Sequence, residues 1–338
     1  MNTISKITTT NIDEVKNILA IYGVCVLERV FDKELSEKTF ERMIHDLEKR
    51  TRDMENPFVF EKKKTWKYLK RISSYRGMMY KHGGISQAKY VWKVRTNSSI
   101  LETFSKIYDT EELIVSFDGI SLSLPGNDYD TDKWYHIDHS LTDLRKKCVQ
   151  GMLMLKKVRQ EDATVCVLIK SHKLISKYAR KKIKEFSEVK KTTDSMIQKK
   201  FGENWNRIEP EYFTEKGCEE LRVSCKSGSL ILFDSKTVHY GALPLEGREK
   251  ENTKACIYLS YSPVENIKNY TFSPKIFAER SLKYYQEGRY TSHWAEYRKI
   301  GPESLVVNRQ TIDISDLYCP KIKKPNKKML QLITGIYK

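Results

Sequence analysis

The chain has 338 residues, 39% hydrophobic and 11% aromatic, enough for a sizeable buried core and too apolar for a disordered protein. No apolar run approaches the ~18 residues that span a bilayer, and the N-terminus MNTISKITTTNIDEVK lacks the charged-then-apolar layout of a secretory signal. A cytoplasmic protein with no membrane partner is therefore expected, with its seven scattered cysteines as free thiols, since no C-x-x-C pair occurs.

The formal charge of +17 raises the question of a polyanionic partner. Lysines make up 44 of the 61 basic residues and are spread along the chain. Nucleic-acid readers lean instead on arginine for bidentate contacts. No nucleic-acid motif occurs, so nucleic acid is the less favoured partner, and an anionic small molecule stays open.

In chain order, Asn11 followed by Asp13 and Glu14 predicts a helix start leading into Val15, Ile18 and Leu19. GVCVLERVF (23–31) predicts a strand, and DKELSEKTFERMIHDLEKR (32–50) an amphipathic helix. A further helix is predicted near 98–107. Strand-like runs then follow at 113–124, 133–138, 149–158 and 163–170, and resume at 220–225, 229–234, 237–241 and 254–262. Between them, residues 171–217 are polar, lysine-rich and helical, as an insertion would be. The part beyond 265 predicts helix, for example over 274–289.

Many short strands separated by turns predict a mainly β fold with flanking helices, a sandwich or jelly roll. The organisation expected is N-terminal helices and a first strand over 1–110, a core over 111–264 carrying the insertion, and a C-terminal helical extension over 265–338. These parts are read as one structural domain.

The chemistry starts at WYHID. In a strand, residues two apart share a face, so His136 and Asp138 place a nitrogen and a carboxylate side by side. These are two of the three ligands of a two-histidine, one-carboxylate metal site. His239, about a hundred residues downstream at the end of GSLILFDSKTV, is the candidate for the third. By alternation, His139 belongs to the opposite face. A dicarboxylate bound beside the metal needs a cation for its far end. Lys254, which opens the last core strand, and Arg248, in the loop GREKEN read as exposed, are the two candidates. Gln150 and Met152 share one face of a neighbouring strand and are placed to line the same pocket, although Met152 also fits simple core packing.

Together these segments, from 113 to 262, resemble the phytanoyl-CoA dioxygenase-like branch of the Fe(II)/2-oxoglutarate-dependent oxygenases. WYHID carries the family's H-x-D. ATVCVLIKSHK resembles its strand followed by G-S-H-K, with Lys170 where glycine is usual. KSGSLILFDSKTVHYG resembles the Gly-led strands that end in the distal metal histidine. In KACIYLSYSP, Lys254 stands where the family generally has arginine, and the exchange keeps a charge but loses the bidentate fork. SFDG (116–119), VQG (149–151) and TSHW (291–294) resemble motifs of a microbial and viral subgroup.

The resemblance implies a double-stranded β-helix, or cupin-like jelly roll. It implies Fe(II) held by His136, Asp138 and His239, with 2-oxoglutarate and O2 converted to succinate and CO2 as a substrate is hydroxylated. An aspartate at 138, rather than the small residue of related halogenases, points to hydroxylation. A small-molecule substrate is expected. The alternatives are a catalytically silent jelly-roll binding module and an oxygenase acting on nucleic acid.

Overall fold

The computed structural model describes residues 3–337 apart from 70–71, 74–78, 127–132, 190–191, 271–272, 298–299, 301–304, 308–309 and 313–316. Parts of the expected C-terminal extension thus lie outside the described residues. The strands of the core region, in order, are β1 (Thr8–Thr9), β2 (Val24–Leu27), β3 (Met79–Tyr80), β4 (Leu113–Val115), β5 (Ile120–Ser123) and β6 (His136–Ile137). They continue with β7 (Val149–Met154), β8 (Thr164–Leu168), β9 (Asn206–Arg207), β10 (Glu220–Arg222), β11 (Leu230–Asp234), β12 (His239–Ala242) and β13 (Lys254–Pro263).

Two sheets form from them. The larger runs β1-β2-β11-β7-β13-β5-β3 with β4 also on β13, and the smaller runs β10-β8-β12-β6-β9. Every pairing except β1 with β2 is antiparallel. From β5 to β13 the chain crosses repeatedly between the two sheets, strands distant in sequence pair within each, and the sheets face each other without closing into a barrel. This is the jelly roll that the strand pattern predicts, flanked by helices.

Local sequence accounts for the entry into this fold. The Asn11 side chain accepts from the Asp13 amide and opens a turn that continues as a helix over Val15–Tyr22. Gly23, at φ +80°, ends the helix and turns the chain straight into β2. Asp32 caps the helix Lys33–Thr51, which buries Phe40, Met43, Ile44 and Leu47. These helices share one hydrophobic core with the larger sheet. The insertion's helices, Ile175–Val189, Asp194–Phe201 and Glu211–Thr214, make a second core with Trp134, Tyr135 and Ile137 and with outward side chains of β8 and β12. Most of the insertion therefore covers the back of the smaller sheet.

Two expected strands are shorter than their apolar runs. The run 113–124 breaks at Ser116–Gly119, because β4 pairs with the end of β13 and β5 with its start. At the break, a Cβ on Gly119 would lie 2.2 Å from the Tyr80 carbonyl oxygen, a close approach that requires glycine. The run 133–138 contracts to His136–Ile137, the two residues that pair with β9; only His136 is also paired across to β12. Lys170 lies in the left-handed region at φ +67°, which explains why glycine suits that position. All seven cysteines are free thiols, six of them buried. No helix among the described residues is long and apolar enough to cross a membrane.

Candidate metal centre and its cavity

The sheet register brings the candidate ligands together. His239 of β12 is the direct partner of His136 on β6, and their rings lie 4.3 Å apart. Asp138 lies just beyond β6, held by a hydrogen bond of 3.0 Å from its amide to the Ser235 carbonyl in the turn before β12. Its two carboxylate oxygens face the histidines, one 3.7 Å from His136 Nε2 and the other 3.4 Å from His239 Nε2. One donor atom from each residue lies within 4.8 Å of the others.

The surroundings prepare these atoms for a metal. His136 Nδ1 donates to the Trp134 carbonyl at 3.1 Å, and His239 Nδ1 to the Thr237 carbonyl at 2.8 Å. A carbonyl only accepts, so each Nδ1 carries a proton, which leaves Nε2, the nitrogen that faces the carboxylate, as the atom available to a metal. Burial, followed by the neighbouring His239, pushes His136 down to about 3 against the opposing pull of Asp138, so the imidazole is neutral. Burial works to raise the Asp138 carboxyl, but His293, His239 and His136 outweigh it and hold the group well below the usual carboxylate range. Gln150 donates to Asp138 Oδ2 at 2.8 Å and so fixes the carboxylate's orientation. Two imidazoles that present Nε2 and a carboxylate held ionised fit a divalent transition metal with free coordination positions.

These atoms open into a cavity of about 350 Å³ between the two sheets. From the larger sheet it is lined by Gln150, Met152, Phe233, Lys254 and Tyr258, and from the smaller by His136, Val165, His239 and Gly241. Lys254 is 2% exposed, and among the described residues its ammonium has no hydrogen-bond or ion-pair partner. Burial lowers its pKa. The other candidate for a cosubstrate anchor, Arg248, does not line the cavity. Its side chain is 4% exposed and lies 3.7 Å from Asp162, a carboxylate that also binds Arg159 and Asn252. That arginine is therefore a buried partner of Asp162 rather than an exposed loop residue. His139 also lies apart from the cavity, hydrogen-bonded to two backbone carbonyls and packed against Trp294.

Sequence reasoning missed several lining residues. His293, from TSHW, donates from Nε2 to the Asp138 carbonyl at 3.2 Å. Lys81 and Asp118 form an ion pair of 3.1 Å in the cavity wall, beside Tyr290. Trp205, from the insertion, lies over His136 at the rim. Only two of these carried a sequence signal, Asp118 within SFDG and His293 within TSHW. The lysine cluster at 180–184, by contrast, is largely paired: Lys181, Lys182 and Lys184 bind Glu185, Glu188 and Glu209. The positive charge there is a neutralised helix surface rather than a face for a polyanion.

Fold and site together define a jelly roll with a metal-competent His-Asp-His cluster between its sheets. Residues 126–242 match the family model described as Phytanoyl-CoA dioxygenase (PhyH), so the chain carries a phytanoyl-CoA dioxygenase-like segment spanning the whole triad. A relative in Aspergillus versicolor, "Ava biosynthesis cluster protein O", is 27% identical over 229 residues, 64% of this chain and 68% of that protein. Among solved structures, similar ones include the epimerase SnoN in complex with Fe3+, alpha ketoglutarate and nogalamycin RO (12% identity, 75% of this chain and 84% of that one, TM-score 0.46). HygX from Streptomyces hygroscopicus, with nickel, 2-oxoglutarate and hygromycin B bound, is 13% identical over 73% of this chain and 85% of its own, with TM-score 0.44. EctD from S. alaskensis with bound Fe is 12% identical over 74% and 76%, with TM-score 0.47.

Proposed function

We propose that this protein is an Fe(II)- and 2-oxoglutarate-dependent oxygenase that hydroxylates a small molecule. His136, Asp138 and His239 would hold the iron, and Lys254 would receive the far carboxylate of 2-oxoglutarate. The observation that carries this reading is the buried, unpartnered Lys254 in the same cavity as the triad. An ammonium largely buried in the wall of a narrow cavity without a counter-ion is partly desolvated, and an anionic ligand offsets that cost. The family match across the triad supports it.

The chain's own groups have distinct tasks. The Nδ1 bonds of His136 and His239 keep both rings in the ligating tautomer. Gln150 and His293 hold Asp138 from its carboxylate and backbone sides. Phe233, Met152 and Val165 give the cavity apolar walls that limit water. When bound, Fe(II) with 2-oxoglutarate supplies the activation of O2, by which 2-oxoglutarate becomes succinate and CO2 and one oxygen atom enters the substrate. An aspartate in the third ligand position favours hydroxylation over halogenation, because it leaves no vacancy for a halide. The relative described as a biosynthesis cluster protein agrees with a small-molecule substrate.

The test is succinate formation from 2-oxoglutarate by protein reconstituted with Fe(II) under argon and then exposed to air. Formation that requires Fe(II) and disappears in Asp138→Ala is expected. A wild-type protein that binds neither metal nor 2-oxoglutarate by calorimetry would instead be a silent binding module.

A further inference from the structure

The rim of the cavity carries an aromatic surface that neither the metal nor the cosubstrate explains. Trp205 is 46% exposed, although it lines the cavity, and its ring lies 5.5 Å from His136 at an interplanar angle of 29°. His136 is also stacked on Trp134, at 4.5 Å and 5°. The metal ligand's ring is thus near-parallel to two tryptophans, of which Trp205 shows much of its surface to solvent.

The position of Trp205 is fixed by its neighbours. Asn206, 7% exposed, donates from one amide to the carbonyls of His139, Glu203 and Phe201, at 2.9, 2.7 and 3.4 Å. The adjoining strand β9 pairs with the His136 strand itself. The loop is thereby tied to the chain just after Asp138. A partly exposed tryptophan held this firmly is a preorganised contact surface.

The size and charge of the cavity say what would lie there. About 350 Å³ is near the lower end of the roughly 300–1,000 Å³ typical of small-molecule pockets, and 2-oxoglutarate would fill part of it. Only the reacting end of a substrate then fits inside, and the rest must rest on the rim. Two lysines, Lys81 and Lys254, line the cavity. Its two carboxylates are already engaged, Asp118 by Lys81 and Asp138 within the triad. Among the described residues lining the cavity, no carboxylate is left unengaged to meet a cation over Trp205.

Resting on the oxygenase reading above, we infer that the substrate presents a flat aromatic ring, neutral or anionic, which stacks on Trp205 while its reacting carbon enters the cavity. Trp205 is then a specificity-determining residue contributed by the insertion.

The test uses full-length protein loaded with Mn(II) and 2-oxoglutarate, and calorimetry with naphthalene-2-carboxamide, its saturated counterpart decahydronaphthalene-2-carboxamide, and naphthalen-2-ylmethylammonium. Wild type should bind the aromatic amide about 3- to 10-fold more tightly than the saturated one, the usual scale of ring stacking. Trp205→Phe should keep that preference, and Trp205→Leu should bring the ratio to about one. Should Trp205→Leu fail to load, Trp205→Met carries the same comparison. A wild-type ratio near one, a preference that survives in the Leu or Met variant, or tightest binding by the ammonium probe overturns the inference. Failure of wild type to take up Mn(II) or 2-oxoglutarate overturns the oxygenase reading itself; normal uptake with probes indifferent to Trp205 overturns this inference alone.

Discussion

Lys254→Met separates the two contributions that the buried ammonium makes. In the free protein, Lys254 is 2% exposed and unpartnered among the described residues. Methionine of similar length removes an uncompensated buried charge, so the ligand-free variant should be more stable than wild type, by about 1 kcal/mol or more. With 2-oxoglutarate bound, the same ammonium faces a carboxylate, an attraction of about 4 kcal/mol at ~4 Å and an effective dielectric of ~20. Part of that is offset by desolvation, and truncating one partner of such a pair costs ~2–5 kcal/mol. Affinity for 2-oxoglutarate should therefore fall at least about thirtyfold.

The assay is thermal unfolding with Mn(II), with and without 2-oxoglutarate. At a hundredfold excess over the wild-type Kd, the ligand stabilises wild type by ~2.7 kcal/mol, an upshift of roughly 4 °C for a chain this long. In Lys254→Met the same concentration should give an upshift of about 1 °C or less. A variant that keeps the full upshift refutes the cosubstrate assignment, and a ligand-free variant less stable than wild type refutes the buried-charge argument.

Other consequences follow from the same geometry. Burial lowers the Lys254 pKa in the free protein, so between that value and the ordinary ~10.4 the unfolded chain binds more protons. Through that window the stability of wild type, relative to Lys254→Met, should rise with pH. A bound carboxylate raises the same pKa, so 2-oxoglutarate binding should take up a proton there and weaken as pH rises, a trend that calorimetry in buffers of different ionisation enthalpy would expose or dismiss. Gln150→Leu removes the 2.8 Å bond to Asp138 and should weaken Mn(II) binding about 10- to 100-fold by electron paramagnetic resonance titration; unchanged affinity would remove Gln150 from its positioning role. Asn206→Ala leaves three backbone carbonyls without their shared donor and should cost ~1–3 kcal/mol in urea unfolding, with a loss under about 0.5 kcal/mol counting against the clamp. Lys170→Gly relieves a left-handed backbone and should stabilise by up to ~1 kcal/mol, whereas destabilisation of that size would show that the lysine's own contacts outweigh the strain.

The sequence by itself determined the parts that obey local rules. Short apolar, β-branched runs separated by turns marked the strands, because strands covered on both faces, as β2, β8 and β11 are, need apolar side chains throughout. Asn11 and Asp32 marked helix starts, because a side-chain oxygen there satisfies a free amide. His136, Asp138 and His239 were legible as ligand candidates because their residue types and order are the chemistry of a metal site, and the register of β6 with β12 then brought them together.

Tertiary structure decided what depends on which remote backbone lies alongside. Lys254 and Arg248 are both basic residues after the same histidine. Only the pairing of β13 with β5 and β7 puts Lys254 on the cavity wall, while Asp162 draws Arg248 away from it. Trp205 had no readable signal, being one aromatic in a polar, lysine-rich insertion. It reaches the rim because β9 pairs with the two residues of β6 and Asn206 ties its loop to the chain after Asp138. Lys81, Asp118 and Tyr290 likewise meet from three separate parts of the chain. Local sequence specifies which groups are available and which face they take, but their convergence is a property of non-local strand pairing, which no short window of sequence contains.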